Sequence, residues 1–338
     1  MQKPLILAIE TSCDDTAAAL VDVNFDVLSN VISSQEEVHE RYGGIVPELA
    51  SREHIKTIVP VVELALEKAG VKKNDLDALA VSANPGLIGS LLVGVSFAKG
   101  LAYSLKIPLI AVNHILGHVF ANFIENKDIM FPFLSLVVSG GHTGLVHFRS
   151  FDDFTILGKT VDDAAGEAFD KIGKLLGTPY PGGPHIDKMA KKGNPETIEF
   201  PLPMIKHDNY DFSFSGLKTA AMLYLKEHNS MTEQELHDFA ASYQRAIVMS
   251  LFIKTTKAIE QFKLTTLLLS GGVAANSALR KIFKDYGSKN NIKLLYPSLE
   301  YCTDNAAMIG AAAQFKYKLR KFASLDLNAS PIKGLKML

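Results

Sequence analysis

Short apolar runs, each closed by a polar or glycine-containing turn, alternate along the chain with longer stretches of helical period. LILAIE, TSCDD and TAAALV predict strand, tight polar turn and strand, and Val27–Ser33 extends the meander by a third strand. The segment GGIVPELASREHIKTIVPVVELALEKAG predicts two helices, with Pro47 and Pro60 near first-turn positions and Gly70 as a C-cap. LDALAVSA is a strand ending in Asn84-Pro85-Gly86, and a long apolar helix then runs through Leu105. Pro108–Val112 is the next strand, followed by a helix that carries His114 and His118.

The second half repeats this order. FLSLVVSGGHTGLVHF (133–148) is again strand, glycine turn and strand, and helices are expected over 162–176, 216–228 and 232–262. TTLLLSGGVAANSALRKIF reads as strand, glycine turn and helix, matching LDALAVSANPGLIGSLLVGVSF in the first half. IKLLYP (292–297) matches IPLIAV (107–112), and a final helix starts near Thr303. Asn194–Asp211, rich in Pro, Asn and Asp, reads as a surface loop. No residue-level repeat survives, but the order of elements is doubled. That implies an α/β protein of two lobes, each with a mostly parallel sheet.

Composition narrows the class. The chain has 338 residues, 47% of them apolar, enough for two domains with substantial cores. Lys+Arg 35 against Asp+Glu 36 leaves a net charge of -1, which excludes a general basic coat for nucleic acid but not a local patch. Lys188, Lys191 and Lys192, and later Lys316, Lys318, Arg320 and Lys321, form local clusters of a kind that is usually a solvated face and less often a nucleic-acid contact. Two cysteines, Cys13 and Cys302, exclude a disulfide framework and favour a reducing cytosol. No apolar run reaches the roughly 18 residues of a membrane span, and Leu5–Ile9 is too short for a signal peptide. A globular, cytoplasmic protein with no membrane association is expected.

Candidate chemistry starts at His114-Ile-Leu-Gly-His118, where two histidines at i and i+4 share one helical face within reach of one metal ion. An isolated HxxxH is also an ordinary core or surface pair, and Ile115 stands where a zinc peptidase needs its glutamate. Asp304 follows the strand IKLLYP much as His114 follows IPLIAV, so both fall at carboxyl ends of equivalent strands, where α/β folds place ligands. Two His and one Asp leave coordination positions open for substrate. Asp304 also reads as a helix N-terminal carboxylate. Ser139-Gly140-Gly141 and Ser270-Gly271-Gly272 are glycine turns at strand ends that suit a phosphate, with a helix starting near Val273. Asp163, Glu167, Asp170 and Lys174 share a helical face, and Tyr180-Pro-Gly-Gly-Pro184 reads as a rigid turn.

Together these residues resemble the bacterial tRNA adenosine threonylcarbamoyltransferase family, formerly called sialoglycoproteases. The resemblance runs nearly end to end: ETSCD (10–14), GGIVPELASREH (43–54), HILGH (114–118), VVSGGHT (137–143), DDAAGEAFDK (162–171), YPGGP (180–184), FSFSGLKT (212–219), SGGVAAN (270–276) and CTDNAAMIG (302–310). It implies two lobes of the actin-like, sugar-kinase (ribonuclease H-like) superfamily with an interlobe cleft. The lobes would be 1–113 and 114–311, with helical insertions in the second and a C-terminal helix over about 312–338 packed back on the first. It further implies Fe2+ or Zn2+ held by His114, His118 and Asp304, and Mg2+ accompanying nucleotide. Val137, Val138, Ser139, Gly140 and Gly141 would hold a threonylcarbamoyl-adenylate, contacted also by Asp170, Gly183, Asp187 and Asn276. The reaction would move the threonylcarbamoyl group to N6 of the adenosine 3′ of the tRNA anticodon, releasing AMP. Catalysis would be metal-assisted, with Glu10, Ser12 and Asp14 as further candidates. The implied partners are tRNA, an inactive paralogue subunit and a small ATPase. An ATP-dependent small-molecule kinase of the same superfamily would use Glu10 and Asp14 but leaves the histidine pair unexplained. Two positions depart from the pattern: Asp15 stands where many relatives have Glu, and Leu116 replaces a Glu often found inside the HxxxH.

Overall fold

The N-terminal pattern folds as read: Ile6–Glu10 (β1) pairs antiparallel with Thr16–Val21 (β2), which pairs antiparallel with Val27–Ser33 (β3). Ala78–Asn84 (β4) and Leu109–Asn113 (β5) then add in parallel on the other side of β1, giving the order β3-β2-β1-β4-β5. The helices of this part are Glu36–Glu40 (α1), Pro47–Ala69 (α2), Ile88–Leu105 (α3), His114–Phe120 (α4) and Asn122–Glu125 (α5). The same plan recurs in Phe133–Val138 (β6), Thr143–Phe148 (β7), Phe154–Lys159 (β8), Thr266–Ser270 (β9) and Lys293–Leu295 (β10), ordered β10-β9-β6-β7-β8. Its helices are Ala165–Leu175 (α6), Gly182–Ala190 (α7), Ser215–Glu227 (α8), Glu233–Phe262 (α9) and Ser277–Asn290 (α10). Leu299–Cys302 (α11) and Ala306–Lys318 (α12) are the last helices among the described residues. This is a computed structural model, and it describes residues 3–42 and 44–331.

The doubling is real, but each sheet is mixed rather than mostly parallel. Turns as short as Thr11–Asp15 and Ser139–His142 allow only antiparallel return, because a parallel partner needs a long crossover. β1, β2, β4 and β5 are buried along their whole length, which is why they read as continuous apolar runs.

The chain divides into two units, one running to Ile129 and resuming at Pro297, the other Met130–Tyr296. The boundary therefore differs from a division after residue 113. The reason is local: α4 packs on α12, and α12 packs on β1, β2 and β5, so the histidine helix stays with the first sheet. The last helix ends at Lys318 instead of continuing to 338, and residues 332–338 lie outside the described residues.

Several local expectations shift. The two helices foreseen over 43–70 are one, α2, running through Pro60, with Gly70 as its left-handed C-cap at φ 64°. Its inner face, including Ile58, Val61, Val62 and Ala65, is buried, and that packing outweighs the hydrogen bond that Pro60 removes. YPGGP is not only a turn, since Gly182 and Gly183 open α7. The helix expected from Val273 begins at Ser277, after a single tight turn over Gly272–Ala275. Lys316 does not belong to a basic surface cluster: it is buried, and its Nζ donates to the Ala111 carbonyl at 2.8 Å. Among the described residues one helix, α3, is long and apolar enough to cross a membrane. One face of it, with Leu91, Gly94, Val95, Ala98 and Ala102, is buried and packs on β4 and α2.

Candidate functional site

In the first unit, β5 delivers the chain to Asn113, whose side chain accepts from the backbone N–H groups of Ile115 (2.9 Å) and Leu116 (3.1 Å) and so starts α4 at His114. The next turn brings His118 beneath it, with ring centroids 4.7 Å apart and planes at 79°. Gly117 between them admits α12: a Cβ there would stand 2.9 Å from Ile309 Cδ1 and 3.3 Å from Met308 Cγ. Asn305 caps α12 by accepting from Met308 N at 2.9 Å, so Asp304 is not needed as the cap. Instead, Asp304 Oδ1 lies 3.2 Å from His118 Nε2 and 3.5 Å from His114 Nε2. Leu116, between the two histidines, is buried in the core.

The other edge of His114 is occupied by the β1–β2 turn. Its Nδ1 lies 3.1 Å from Glu10 Oε2 and 2.9 Å from Ser12 Oγ, while Glu10 Oε1 accepts from Ser12 N at 2.5 Å. A hydrogen on Nδ1, donated to Glu10, leaves Nε2 as the ring nitrogen that can ligate an ion once its own proton is lost. Burial alone would lower the His114 pKa, but the carboxylates of Asp304 and Glu10 push it up to about 9. Burial pushes Asp14 above the usual carboxylate range, and burial with the neighbouring Asp14 and Asp304 charges pushes Asp15 up to about 7. The site thus gathers carboxylates around its histidines, and without an ion the His114 imidazolium is the positive charge that balances them.

A divalent cation fits it. Both ring nitrogens of His118 are buried without a hydrogen bond, and an ion would give one of them, Nε2, its partner. The three ligand atoms lie within 4.8 Å of one another. The 3.2 and 3.5 Å separations match the roughly 3.3 Å edge of a tetrahedron whose metal–nitrogen bonds are about 2.0–2.1 Å. Because the imidazole must be neutral to ligate, and His114 titrates near 9 without metal, loading at pH 7 is expected to release about one proton per ion. Calorimetric titration in buffers of different ionisation enthalpy checks this; uptake with no proton release would contradict it.

The remaining predicted residues gather in the second unit. Ser139-Gly140-Gly141 follows β6, and Ser270-Gly271-Gly272 follows its parallel neighbour β9, so both glycine turns belong to one sheet. Gly271 is required by packing, since at φ 88° its Cβ would fall 2.5 Å from the Val138 carbonyl. A Cβ on Gly140 or Gly141 would meet nothing within 4 Å, so these two leave backbone open to a ligand. Asp170 Oδ1 accepts from Gly182 N (2.8 Å) and Gly183 N (3.4 Å), capping α7. Asp187 accepts from Ser277 Oγ at 2.7 Å and pairs with Lys191 at 3.2 Å. Asn276 caps α10 through Leu279 N at 3.0 Å and donates to Gln244 Oε1 at 2.6 Å. The acidic face foreseen on one helix is divided: Lys171 bridges Glu167 and Asp163, whereas Asp170 turns to α7.

A profile of the tRNA N6-adenosine threonylcarbamoyltransferase family matches residues 26–311. The chain is 53% identical over 333 residues to the tRNA N6-adenosine threonylcarbamoyltransferase of Clostridium perfringens strain SM101, covering 98% of each. This chain belongs to that family. The transferase of Moorella thermoacetica is 52% identical over 328 residues, covering 96% of each. Among solved structures, HypF from T. kodakarensis superposes with a TM-score of 0.62 at 14% identity, over 94% of this chain and 48% of that one. The activator of 2-hydroxyisocaproyl-CoA dehydratase from Clostridium difficile does so at 0.52 and 11% identity, over 98% of this chain and 100% of its own. These likenesses carry the fold, which is the actin-like, sugar-kinase type. Family membership carries the activity: the chain is a tRNA threonylcarbamoyltransferase, and the kinase reading falls away.

Proposed function

We propose that the transferase draws its acyl group from threonylcarbamoyl-adenylate and that the two units divide the task. The observation that supports it most is the His114, His118 and Asp304 set, whose spacing fits one ion and whose imidazoles a kinase would not use. His114, His118 and Asp304 would hold Fe2+ or Zn2+, and the ion when bound supplies Lewis-acid charge to the carbamoyl oxygens. Glu10 and Ser12 keep the His114 ring in its ligating tautomer. In the second unit Val137–Gly141 would meet the adenylate, with Gly140 and Gly141 leaving backbone open, and its phosphate suits a helix N-terminus such as that of α6, where Gly166 N donates to the Ser139 carbonyl. Asp187 and Asn276 would contact the adenylate as well, and with its Oδ1 committed to α7, Asp170 would meet the ribose through Oδ2.

In the reaction, the adenosine N6 attacks the carbamoyl carbon, the bond from that carbon to the phosphate oxygen breaks, AMP leaves and N6 loses one proton. The acyl group arrives already activated, so the chain's work is placement and charge stabilisation. Neither a P-loop nor a nucleophilic serine or cysteine is called for.

Incubation with preformed threonylcarbamoyl-adenylate and tRNA tests this. AMP and N6-threonylcarbamoyladenosine should appear in equal amounts; AMP release with unmodified tRNA would overturn it. With a net charge of -1, the isolated chain should bind tRNA weakly and with a shallow salt dependence. Tight binding at physiological salt in a filter assay would contradict that. The protein partners implied by the family's bacterial members, an inactive paralogue and a small ATPase, would supply the missing affinity in the cytoplasm.

A further inference from the structure

His54 lies on α2, outside the metal set, and is fully buried. Both of its ring nitrogens are engaged on the turn that follows β1. Nε2 is 3.0 Å from the Cys13 carbonyl oxygen, and Nδ1 is 2.7 Å from Thr16 Oγ1. Burial lowers its pKa, so the ring is neutral and carries one N–H. A carbonyl can only accept, which places that hydrogen on Nε2 and makes Nδ1 the acceptor of the Thr16 hydroxyl. Thr57 backs the hydroxyl: its Oγ1 is 2.8 Å from Thr16 Oγ1 and 2.9 Å from the Glu53 carbonyl. The links Thr16–His54–Cys13 thus tie α2 to the turn.

That turn is the one that touches His114. Ser12 lies directly before Cys13, with its Oγ 2.9 Å from His114 Nδ1 and its N–H on Glu10. From the other side it is pinned by Leu87 N, which donates to the Ser12 carbonyl at 2.8 Å; Gly86 permits this, since a Cβ there would fall 2.4 Å from that oxygen. The turn is therefore clamped between the start of α3 and His54, and the clamp sets where Ser12 and Glu10 meet the imidazole.

We propose that His54 is a positioning residue for the His114–His118–Asp304 centre, acting through the Cys13 carbonyl to hold Ser12 and Glu10 against the Nδ1 edge of His114. This rests on the metal reading given above. It acts on no reacting atom, so its loss should change ion affinity and turnover and leave the adenylate surface of the second unit untouched.

The test compares His54→Leu, which fills the space without hydrogen bonds, with His54→Gln, whose amide can donate to Cys13 and accept from Thr16. In the full chain, His54→Leu should weaken iron or zinc binding about tenfold in chelator competition, the lower end of losses beyond the first ligand layer. Its kcat should fall while KM for threonylcarbamoyl-adenylate moves less than about twofold, and His54→Gln should recover most of both. If His54→Leu fails to fold, Thr16→Val, which deletes only the hydroxyl on the Nδ1 side, should show the same split. Wild-type ion affinity in whichever of these variants folds would overturn the positioning role. So would a glutamine variant as impaired as the leucine one. Failure of the metal reading has a different signature: wild type and His114→Ala would then hold equal, negligible metal.

Discussion

Asp304→Ala is expected to slow threonylcarbamoyl transfer roughly a thousandfold while the protein stays folded and still binds the adenylate. Asp304 is the carboxylate that faces both imidazoles, at 3.2 and 3.5 Å, and the cap of α12 belongs to Asn305, so the helix keeps its start. Without the aspartate two imidazoles remain, too few to hold and orient a catalytic ion firmly. Losing the charge that such an ion places on the carbamoyl oxygens costs about 4 kcal/mol of transition-state stabilisation, and each 1.36 kcal/mol is tenfold in rate. Adenylate affinity should persist, because the glycine turns, Asp187 and Asn276 all belong to the second unit. Single-turnover kinetics separate the two effects. An Asp304→Ala enzyme that transfers at the wild-type rate would remove Asp304 from the mechanism.

Gly271→Ala should damage the second unit severely for a single-methyl change, destabilising by roughly 2–5 kcal/mol. Its φ of 88° and ψ of 167° lie where an L-residue is strained, and its Cβ would sit 2.5 Å from the Val138 carbonyl oxygen and 2.9 Å from the carbon. Both are backbone atoms on the neighbouring strand, so β6 and β9 would have to separate at the ends that carry the proposed adenylate surface. Gly140→Ala is the contrasting case. Nothing lies within 4 Å of its Cβ, so the unfolding midpoint should hardly move, while adenylate affinity should drop because the methyl group takes the ligand's space. Denaturant midpoints and adenylate dissociation constants for the two variants check this. A Gly271→Ala protein as stable as wild type would refute the packing, and a Gly140→Ala protein with unchanged affinity would move the adenylate elsewhere.

The doubled sheet plan was legible because the central strands are buried on both faces and so read as unbroken apolar runs. The histidine pair was legible because i,i+4 spacing is local. Asp304 was reachable only by comparing strand ends, since the sequence does not show that α12 crosses α4. Gly117 was the overlooked signal: a glycine inside HILGH marks the close approach of that helix. Contacts over long separations were out of reach, such as Ser12 on His114 or His54 on Cys13, because no periodicity encodes them. Pro60 and YPGGP misled for the opposite reason. Their local preference is to break a helix, and packing of α2 and the Asp170 cap on α7 override it. A lysine among other basic residues reads as a surface charge, and nothing in the sequence shows that Lys316 reaches the Ala111 carbonyl of β5.

Metal content and product formation measured on the same samples test the joint role of these residues most directly. Wild type, His118→Ala and chelator-stripped wild type would each be assayed by elemental analysis. The same samples would then be incubated with threonylcarbamoyl-adenylate and tRNA, and the nucleosides read by mass spectrometry. One ion per wild-type chain is expected, with N6-threonylcarbamoyladenosine formed in proportion to bound metal, little of either in His118→Ala, and recovery when the stripped enzyme is reloaded with Fe2+ or Zn2+. Full modification of tRNA by the stripped enzyme or by His118→Ala would contradict a metal centre at His114, His118 and Asp304.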